Sequence, residues 1–262
     1  MIYHHMSGAG NTFLVADGRT APHPDLSPDD VLNAIANHPR SDGAEIEGVL
    51  VLRSSELQTF AADYYNPDGS HGMMCGNGSR CIVRFAIDHG VDATSTITFT
   101  LNGAPYTADV LGDDLIRIHF SAPNDVRTFA RGELSGVDQA VTYVDVNSDH
   151  VVIDGPRDAS RPIVQALRHH AVFLRGVNVN MVDLRRDGTA AIATFERGVE
   201  AITGACGTGA LSAAVALWLQ RRAGDSVHFV PPSGRPLMVH IDHNGTTITG
   251  LTLEGDARYD NA

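Results

Sequence analysis

Two short stretches decide the fold: "MMCGNGSRC" at 73–81 and "GACGTGA" at 204–210. Each places a cysteine directly before a Gly-x-Gly. By itself Cys75 could serve in packing, as a metal ligand, as half of a disulfide, or as a nucleophile or base. Its twin narrows that choice. Cys206 follows Cys75 by 131 residues, half of the 262-residue chain. An ungapped slide by that offset lays CGNG (75–78) on CGTG (206–209) and LNGAP (101–105) on PSGRP (232–236). It also lays TFAADYYN (59–66) on AAIATFER (190–197), with apolar and polar positions largely in step. Self-similarity at a fixed period marks repeated architecture. The chain therefore reads as two homologous halves, 1–121 and 122–262, joined near SAPNDV (121–126). Its last strand would be able to pair back with the first half.

Each half shows the same coarse plan. Alternating segments such as GVLVLRSS (48–55), TFAADYYN, VNVNMVDLRR (177–186) and AAIATFER read as strands. So do STITFTL (95–101) and LIRIHF (115–120). After each cysteine motif comes a helical run, SRCIVRFAIDHG (79–90) and ALSAAVALWLQRRAG (210–224), ended by glycine. In the second run Leu211, Val215, Trp218 and Leu219 recur at helical spacing. SPDDVLNAIANH (27–38) and RPIVQALRHH (161–170) add one helix to each half. Helices among many strands, twice over, predict two α+β domains with a ligand cleft between them.

Composition excludes several functions. A net charge of −12 argues against nucleic acid or an anionic membrane as partner. No window approaches the roughly 18 uninterrupted apolar residues of a membrane span. "MIYHHMSGAGNTF" lacks the basic-then-apolar order of a signal peptide, so a cytoplasmic location is expected. All 19 cationic side chains are arginine. Without lysine there is no internal Schiff base for pyridoxal phosphate and no Walker P-loop. Three cysteines, Cys75, Cys81 and Cys206, do not make a disulfide scaffold, and the Cys75–Cys81 spacing is too long for a zinc pair. No metal and no cofactor are expected. Cys81 has no counterpart in the repeat, where Ser212 stands, and reads as packing.

The doubled motif suits proton transfer. Glycine allows a close backbone approach, and a helix start offers unpaired N–H groups and the positive end of a dipole. A thiol there is drawn toward the thiolate, and a carboxylate there is held by backbone donors. Two such sites related by a pseudo-two-fold axis would suit inversion at a carbon bearing a carboxylate. One thiolate would remove the α-proton and the other thiol would deliver one to the opposite face, while the N–H groups stabilise the carbanion. A transient redox pair is the other use of two facing thiols.

The chain resembles the diaminopimelate epimerase family, cofactor-independent two-cysteine enzymes. The resemblance runs nearly end to end through SGAGNTFLVAD (7–17), NPDGSHGMMCGNGSRC (66–81) and NVNMVDL…FERGVEAITGACGTGA (178–210). It implies two pseudo-symmetric domains, each a curved, mostly antiparallel sheet around a central helix. It implies Cys75 and Cys206 as the two bases, with His150 assisting one and Glu196 near the other. Gly76, Asn77, Gly207 and Thr208 would supply N–H groups to the reacting carboxylate. Asn11, Asn66, Asn178, Glu196 and Arg197 would hold the substrate, including its distal end. Arginine can fork onto a carboxylate, while asparagine and glutamate accept from an ammonium group.

The implied reaction interconverts LL- and meso-diaminopimelate for lysine and peptidoglycan precursor synthesis. A homodimer is implied by the resemblance alone. Four places depart from the family pattern: Thr12 for Asp, GAEIEG (43–48), Asp149 for proline before His150, and ITG (202–204). The alternatives are a racemase or epimerase of another amino acid on the same fold, and a non-catalytic amino-acid binder or thiol redox protein.

Overall fold

Each cysteine motif opens a 13-residue helix, and the strands before and after that helix run parallel. A computed structural model of the chain describes residues 1–20, 25–71, 74–92 and 96–260. Gly72 and Met73 of the segment 66–81 and Ser95 of a strand read from sequence lie outside these residues. The chain gathers into two compact units. One holds Met1–His119 with the C-terminal residues from Glu254, and the other holds Phe120–Leu253.

The first unit begins with β1 (Tyr3–Gly8) and β2 (Asn11–Asp17), then α1 (Pro28–Asn37), β3 (Val49–Arg53) and β4 (Phe60–Tyr65). It continues with α2 (Gly76–Asp88), β5 (Thr96–Leu101), β6 (Ala104–Val110) and β7 (Leu115–Ser121). The second unit repeats the scheme. It runs β8 (Asp125–Phe129), β9 (Val141–Asp145), β10 (Asp149–Asp154), α3 (Pro162–Arg168), β11 (Asn178–Leu184) and β12 (Thr189–Phe195). After these come α4 (Gly207–Leu219), β13 (Ser226–Val230), β14 (Leu237–Asn244) and β15 (Thr247–Asp256), and β16 (Arg258–Tyr259) returns to pair with β1.

Strand order is β16-β1-β2-β3-β4-β5-β6-β7 in the first unit and β15-β14-β13-β12-β11-β10-β9-β8 in the second. Pairing within the runs β16 to β7 and β14 to β8 is antiparallel except for β2–β3, β4–β5, β10–β11 and β12–β13. Those four parallel pairs are the ones bridged by a helix, because parallel neighbours need a long crossover while antiparallel ones can join by a tight turn. The sheet of each unit wraps its second helix: α2 lies on β1, β2, β3 and β4, and α4 on β9, β10, β11, β13 and β14. Both helices are buried almost all round.

The repeat extends to backbone detail. Helices α2 and α4 start and end 131 residues apart. Gly103 (φ 81°) and Gly234 (φ 74°) hold equivalent left-handed turns, as do Gly69 (φ 82°) and Glu200 (φ 57°). Isolated bridges Tyr65–His71 and Phe195–Ile202 close the chain ahead of each cysteine. Two readings shift: α4 ends at Leu219, with Arg221 (φ 55°) rather than a glycine in the left-handed position after it, and both helices begin three residues earlier than SRCIVRFAIDHG and ALSAAVALWLQRRAG suggest. Gly-Asn-Gly and Gly-Thr-Gly are the first helical turn itself, not a lead-in to it. Helix α1 starts where Ser27 and Asp30 form a capping box, with Pro28 in the first turn. Among the described residues no helix is long and apolar enough to cross a membrane.

Candidate active site

Cys75 is the N-cap of α2 and Cys206 the N-cap of α4, with φ/ψ of −114°/106° and −119°/111°. Both thiols are half-buried and neither is in a disulfide. Each therefore stands at the end of a helix whose first N–H groups have no partner within the helix. Gly76, Asn77, Gly207 and Thr208 occupy those first positions. The Gly78 N–H donates to Cys75 Sγ at 3.4 Å.

The first turn of α2 is held from behind by a buried cation. Arg80 has no exposed surface. Its Nη2 donates to Asn77 Oδ1 (2.7 Å), Nη1 to the Gly76 carbonyl (3.1 Å) and Nε to the Asp256 carbonyl (3.2 Å). Asp256 in turn accepts from the Ala9 N–H at 2.9 Å. Ala9 and Gly10 make the tight β1–β2 turn with positive φ. A Cβ on Gly8 would sit 2.6 Å from the Asn77 carbonyl oxygen, so glycine is needed for this hairpin to touch the helix start. Asn11, buried, pairs with Gly8 across the hairpin. Asn66 heads the Asn-Pro-Asp-Gly turn after β4, half-buried, and its Nδ2 donates to Ser70 Oγ (3.0 Å). Cys81 is fully buried inside α2, under the same hairpin.

The α4 turn is supported by neutral groups instead. Thr208 Oγ1 lies 3.0 Å from His150 Nε2 and 3.5 Å from Cys206 Sγ. His150, on β10, has no exposed surface, and burial lowers its pKa from 6.5 to about 3. Asn180 on β11 reaches His150 Nδ1 with its Nδ2 at 3.1 Å. A Cβ on Gly209 would sit 2.4 Å from Asn180 Oδ1 and 2.6 Å from Thr194 Oγ1, so these side chains occupy the space that glycine leaves.

Glu196, which follows β12, hydrogen-bonds the Cys206 thiol and accepts from the Thr203 hydroxyl. Burial pushes the Glu196 carboxyl up from its ordinary 4.5, against the pull of those two donors. Arg197 donates through Nη1 to the Arg175 carbonyl (2.7 Å), the Gly176 carbonyl (3.1 Å) and Asp149 Oδ2 (3.5 Å). Asn178 ties this corner together. Its Nδ2 donates to the Asp149 carbonyl (3.0 Å) and Ser148 Oγ (3.3 Å), and its Oδ1 accepts from the Arg197 N–H (2.9 Å). Asp149 also accepts from Tyr143 Oη (2.6 Å) and Arg175 Nη2 (2.8 Å). Burial raises its pKa, but Tyr143, Arg175 and Arg197 outweigh that and hold it below the carboxylate range.

The sequence readings thus collect around two centres. Gly76, Asn77 and Asn11 gather by Cys75, with Asn66 in the turn ahead of it. His150, Asn178, Glu196, Arg197, Gly207 and Thr208 gather by Cys206 and its strands. A family model described as diaminopimelate epimerase matches residues 3–120 and 135–259. The chain belongs to the diaminopimelate epimerase family. A diaminopimelate epimerase of Chlorobaculum tepidum is 34% identical, covering 97% of this chain and 96% of its own length. One of Gemmatimonas aurantiaca is 30% identical, covering 98% and 96%.

The fold is shared more widely than the family. A phenazine biosynthesis protein of Bacillus anthracis superposes with a TM-score of 0.73 at 12% identity, covering 99% of this chain and 96% of that one. A hydroxyproline epimerase of Agrobacterium vitis does so with a TM-score of 0.68 at 16% identity, covering 99% and 90%.

Around the residues that the family resemblance points to, the structure adds others that the sequence reading passes over. Arg80, Asn180, Thr194 and Thr203 touch the two cysteine turns or their partners. One signal for Asn180 was available. Asn178 and Asn180 stand two apart at the start of a mostly apolar strand, which places two amides on one face of β11.

Proposed function

We propose that this chain interconverts LL- and meso-diaminopimelate without a cofactor, by proton transfer at the α-carbon between two cysteines. The observation that carries this is the matched geometry of Cys75 and Cys206. Both are half-buried N-caps with the same backbone angles, each ahead of a glycine-bearing helical turn. In one direction Cys75 works as thiolate and Cys206 as thiol, and in the other direction the roles exchange. The thiolate takes the α-proton to become a thiol. The electron pair left on carbon delocalises into the carboxylate, and the opposite thiol gives its proton to the other face of that carbon, leaving a thiolate. The first N–H groups of α2 and α4 stabilise the charge that builds on the carboxylate.

Glu196 accepts the Cys206 proton when that cysteine must start as the base; the α-proton then refills Cys206, and Glu196 gives up the proton it holds to solvent. Arg197, held through one amino group, presents its remaining donors to the distal carboxylate, and Asn11, Asn66 and Asn178 complete recognition of the distal end. The absence of lysine from the chain fits a route without pyridoxal. Two thiols that must stay reduced fit work in the cytoplasm.

The test follows the α-proton signal of LL-diaminopimelate by NMR in D₂O with reduced protein. Parallel samples carry L-proline and hydroxyproline. Loss of the signal with growth of the meso isomer, for diaminopimelate alone, supports the proposal. Exchange with a proline-type substrate and not with diaminopimelate would make the chain an epimerase of another amino acid.

A further inference from the structure

His150 is a buried imidazole whose two nitrogens are both engaged by protein, and those partners fix where its proton is. Asn180 decides it. Its Nδ2 donates to the Val151 carbonyl at 3.0 Å, and a carbonyl can only accept. Its Oδ1 accepts from the Thr194 hydroxyl at 2.8 Å. The amide therefore cannot be turned over, and the second hydrogen on Nδ2 points at His150 Nδ1 (3.1 Å). Nδ1 must then be the bare nitrogen, and Nε2 carries the proton, which it donates to Thr208 Oγ1 (3.0 Å). Having accepted from His150, the Thr208 hydroxyl still carries its own hydrogen, and Cys206 Sγ, which as a thiolate can only accept, lies 3.5 Å away. The Cys206 proton goes to Glu196.

We propose that His150 stays neutral and acts as a positioning residue, directing the Thr208 hydroxyl onto Cys206 Sγ as a fixed donor that stabilises its thiolate. The chain of donation runs Asn180 to His150, His150 to Thr208, Thr208 to Cys206. Every member lies in the second unit, and His150, Asn180 and Thr194 are buried. In this scheme the imidazole exchanges no proton with either cysteine during turnover. The charged groups facing it are Asp149 and Arg197, which act on it in opposite directions. Burial disfavours the imidazolium, and protonation at Nδ1 would set a proton against the Asn180 amide. Cys206 then has one partner for each state: Glu196 accepts from the thiol, and Thr208 donates to the thiolate. Gly209 belongs to the same device, because its missing Cβ is what lets Asn180 and Thr194 close on the turn. The inference rests on the reading of Cys206 as one of the two bases.

Two measurements on the full chain test it, neither of which needs substrate. The first is ¹⁵N–¹H correlation NMR of the imidazoles, with His150 identified as the signal lost in His150→Gln. The expected result is the Nε2–H neutral form, unchanged from about pH 5 to about pH 9, where ordinary histidines titrate. A protonated ring within that range, or an Nδ1–H form, would overturn the proposal. The second is the rate of iodoacetamide alkylation at neutral pH, read by peptide mass mapping so that Cys206 and Cys75 are scored separately. Thr208→Val should slow Cys206 about tenfold, the scale of one hydrogen bond to a charged atom. Thr208→Ser should restore it to within about twofold, with Cys75 unaffected throughout. An unchanged Cys206 rate in Thr208→Val, or a serine variant as slow as valine, would overturn it. If both results hold and no amino acid is turned over, the epimerase reading fails and the donor relay stands.

Discussion

Cys75 and Cys206 share one backbone geometry and differ in what their sulfur atoms meet. Cys75 Sγ accepts from the Gly78 N–H at 3.4 Å, whereas Cys206 Sγ meets the Thr208 hydroxyl at 3.5 Å and donates to Glu196. A donor aimed at sulfur favours the thiolate, and an acceptor favours the thiol. Cys75 should therefore be alkylated faster than Cys206 at neutral pH, by about tenfold on the scale of a charge-assisted hydrogen bond. Glu196→Gln should narrow the gap. Equal rates in the unaltered protein would contradict the assignment of resting states.

Arg80 should be the costliest side chain to lose in the first unit. Arg80→Met leaves the Gly76 carbonyl, Asn77 Oδ1 and the Asp256 carbonyl without this donor in a buried place. Each buried acceptor left unsatisfied costs about 1–3 kcal/mol. Urea unfolding should show a loss of that order, and Arg80→Lys, which keeps the charge without the fork, should lose less. Because the contacts hold the turn rather than the sulfur, any folded Arg80→Lys protein should show lower kcat with Cys206 reactivity intact.

Acid should destabilise the protein through His150. The unfolded chain takes up a proton at the ordinary histidine pKa of 6.5, while the folded chain refuses it down to about 3. The unfolded state thus binds more protons across that interval, so stability falls as pH drops from 6.5 toward 3 and is unaffected by this group above 6.5. The slope from one such group is at most about 1.4 kcal/mol per pH unit. Glu196 acts in the opposite sense, since its raised pKa makes the folded state the better proton binder as pH falls. The difference between the unaltered protein and His150→Gln isolates the histidine: urea midpoints taken at pH 7 and pH 5 should converge in the variant.

Asp149 should govern binding more than chemistry. It meets Arg197 Nη1 at 3.5 Å and Arg175 Nη2 at 2.8 Å, and Tyr143 completes its shell. Asp149→Ala frees the guanidinium that the proposed function aims at the distal carboxylate. KM for diaminopimelate should rise about tenfold while kcat changes by less than about threefold, the pattern of lost uniform binding. A fall in kcat at constant KM would place Asp149 in the chemical step instead.

Much of this was legible in the sequence because the repeat carries it. Strands β3, β4, β11 and β12 and helices α1 and α3 fall where alternation and helical spacing put them, α2 and α4 overlap their predicted runs, and the 131-residue offset reappears in both ends of α2 and α4. The helix starts were not legible. Glycine is a poor helix former, so Gly-x-Gly reads as a turn, yet contact with Asn180 and Thr194 demands glycine at position 209. Arg80 was hidden by a sound rule, since arginine is almost never fully buried. The His150–Asn180 contact depends on parallel register between β10 and β11, and register across a crossover leaves no trace in local pattern. Strands β8 and β9 also went unread, because "DVRTF" is mostly polar and "VTYVD" is short.

The most direct test of the central claim is the fate of isotope in the first turnovers of LL-diaminopimelate in D₂O. With two bases, the thiol that delivers the proton has already exchanged with solvent, and the thiolate that removes one does not give it back to the same face. The expected result is meso product carrying deuterium at the inverted carbon, while unreacted LL isomer keeps its protium. Product that retains the substrate's proton, or LL isomer that takes up deuterium faster than product forms, would mean that a single base serves both faces and would contradict the two-cysteine account.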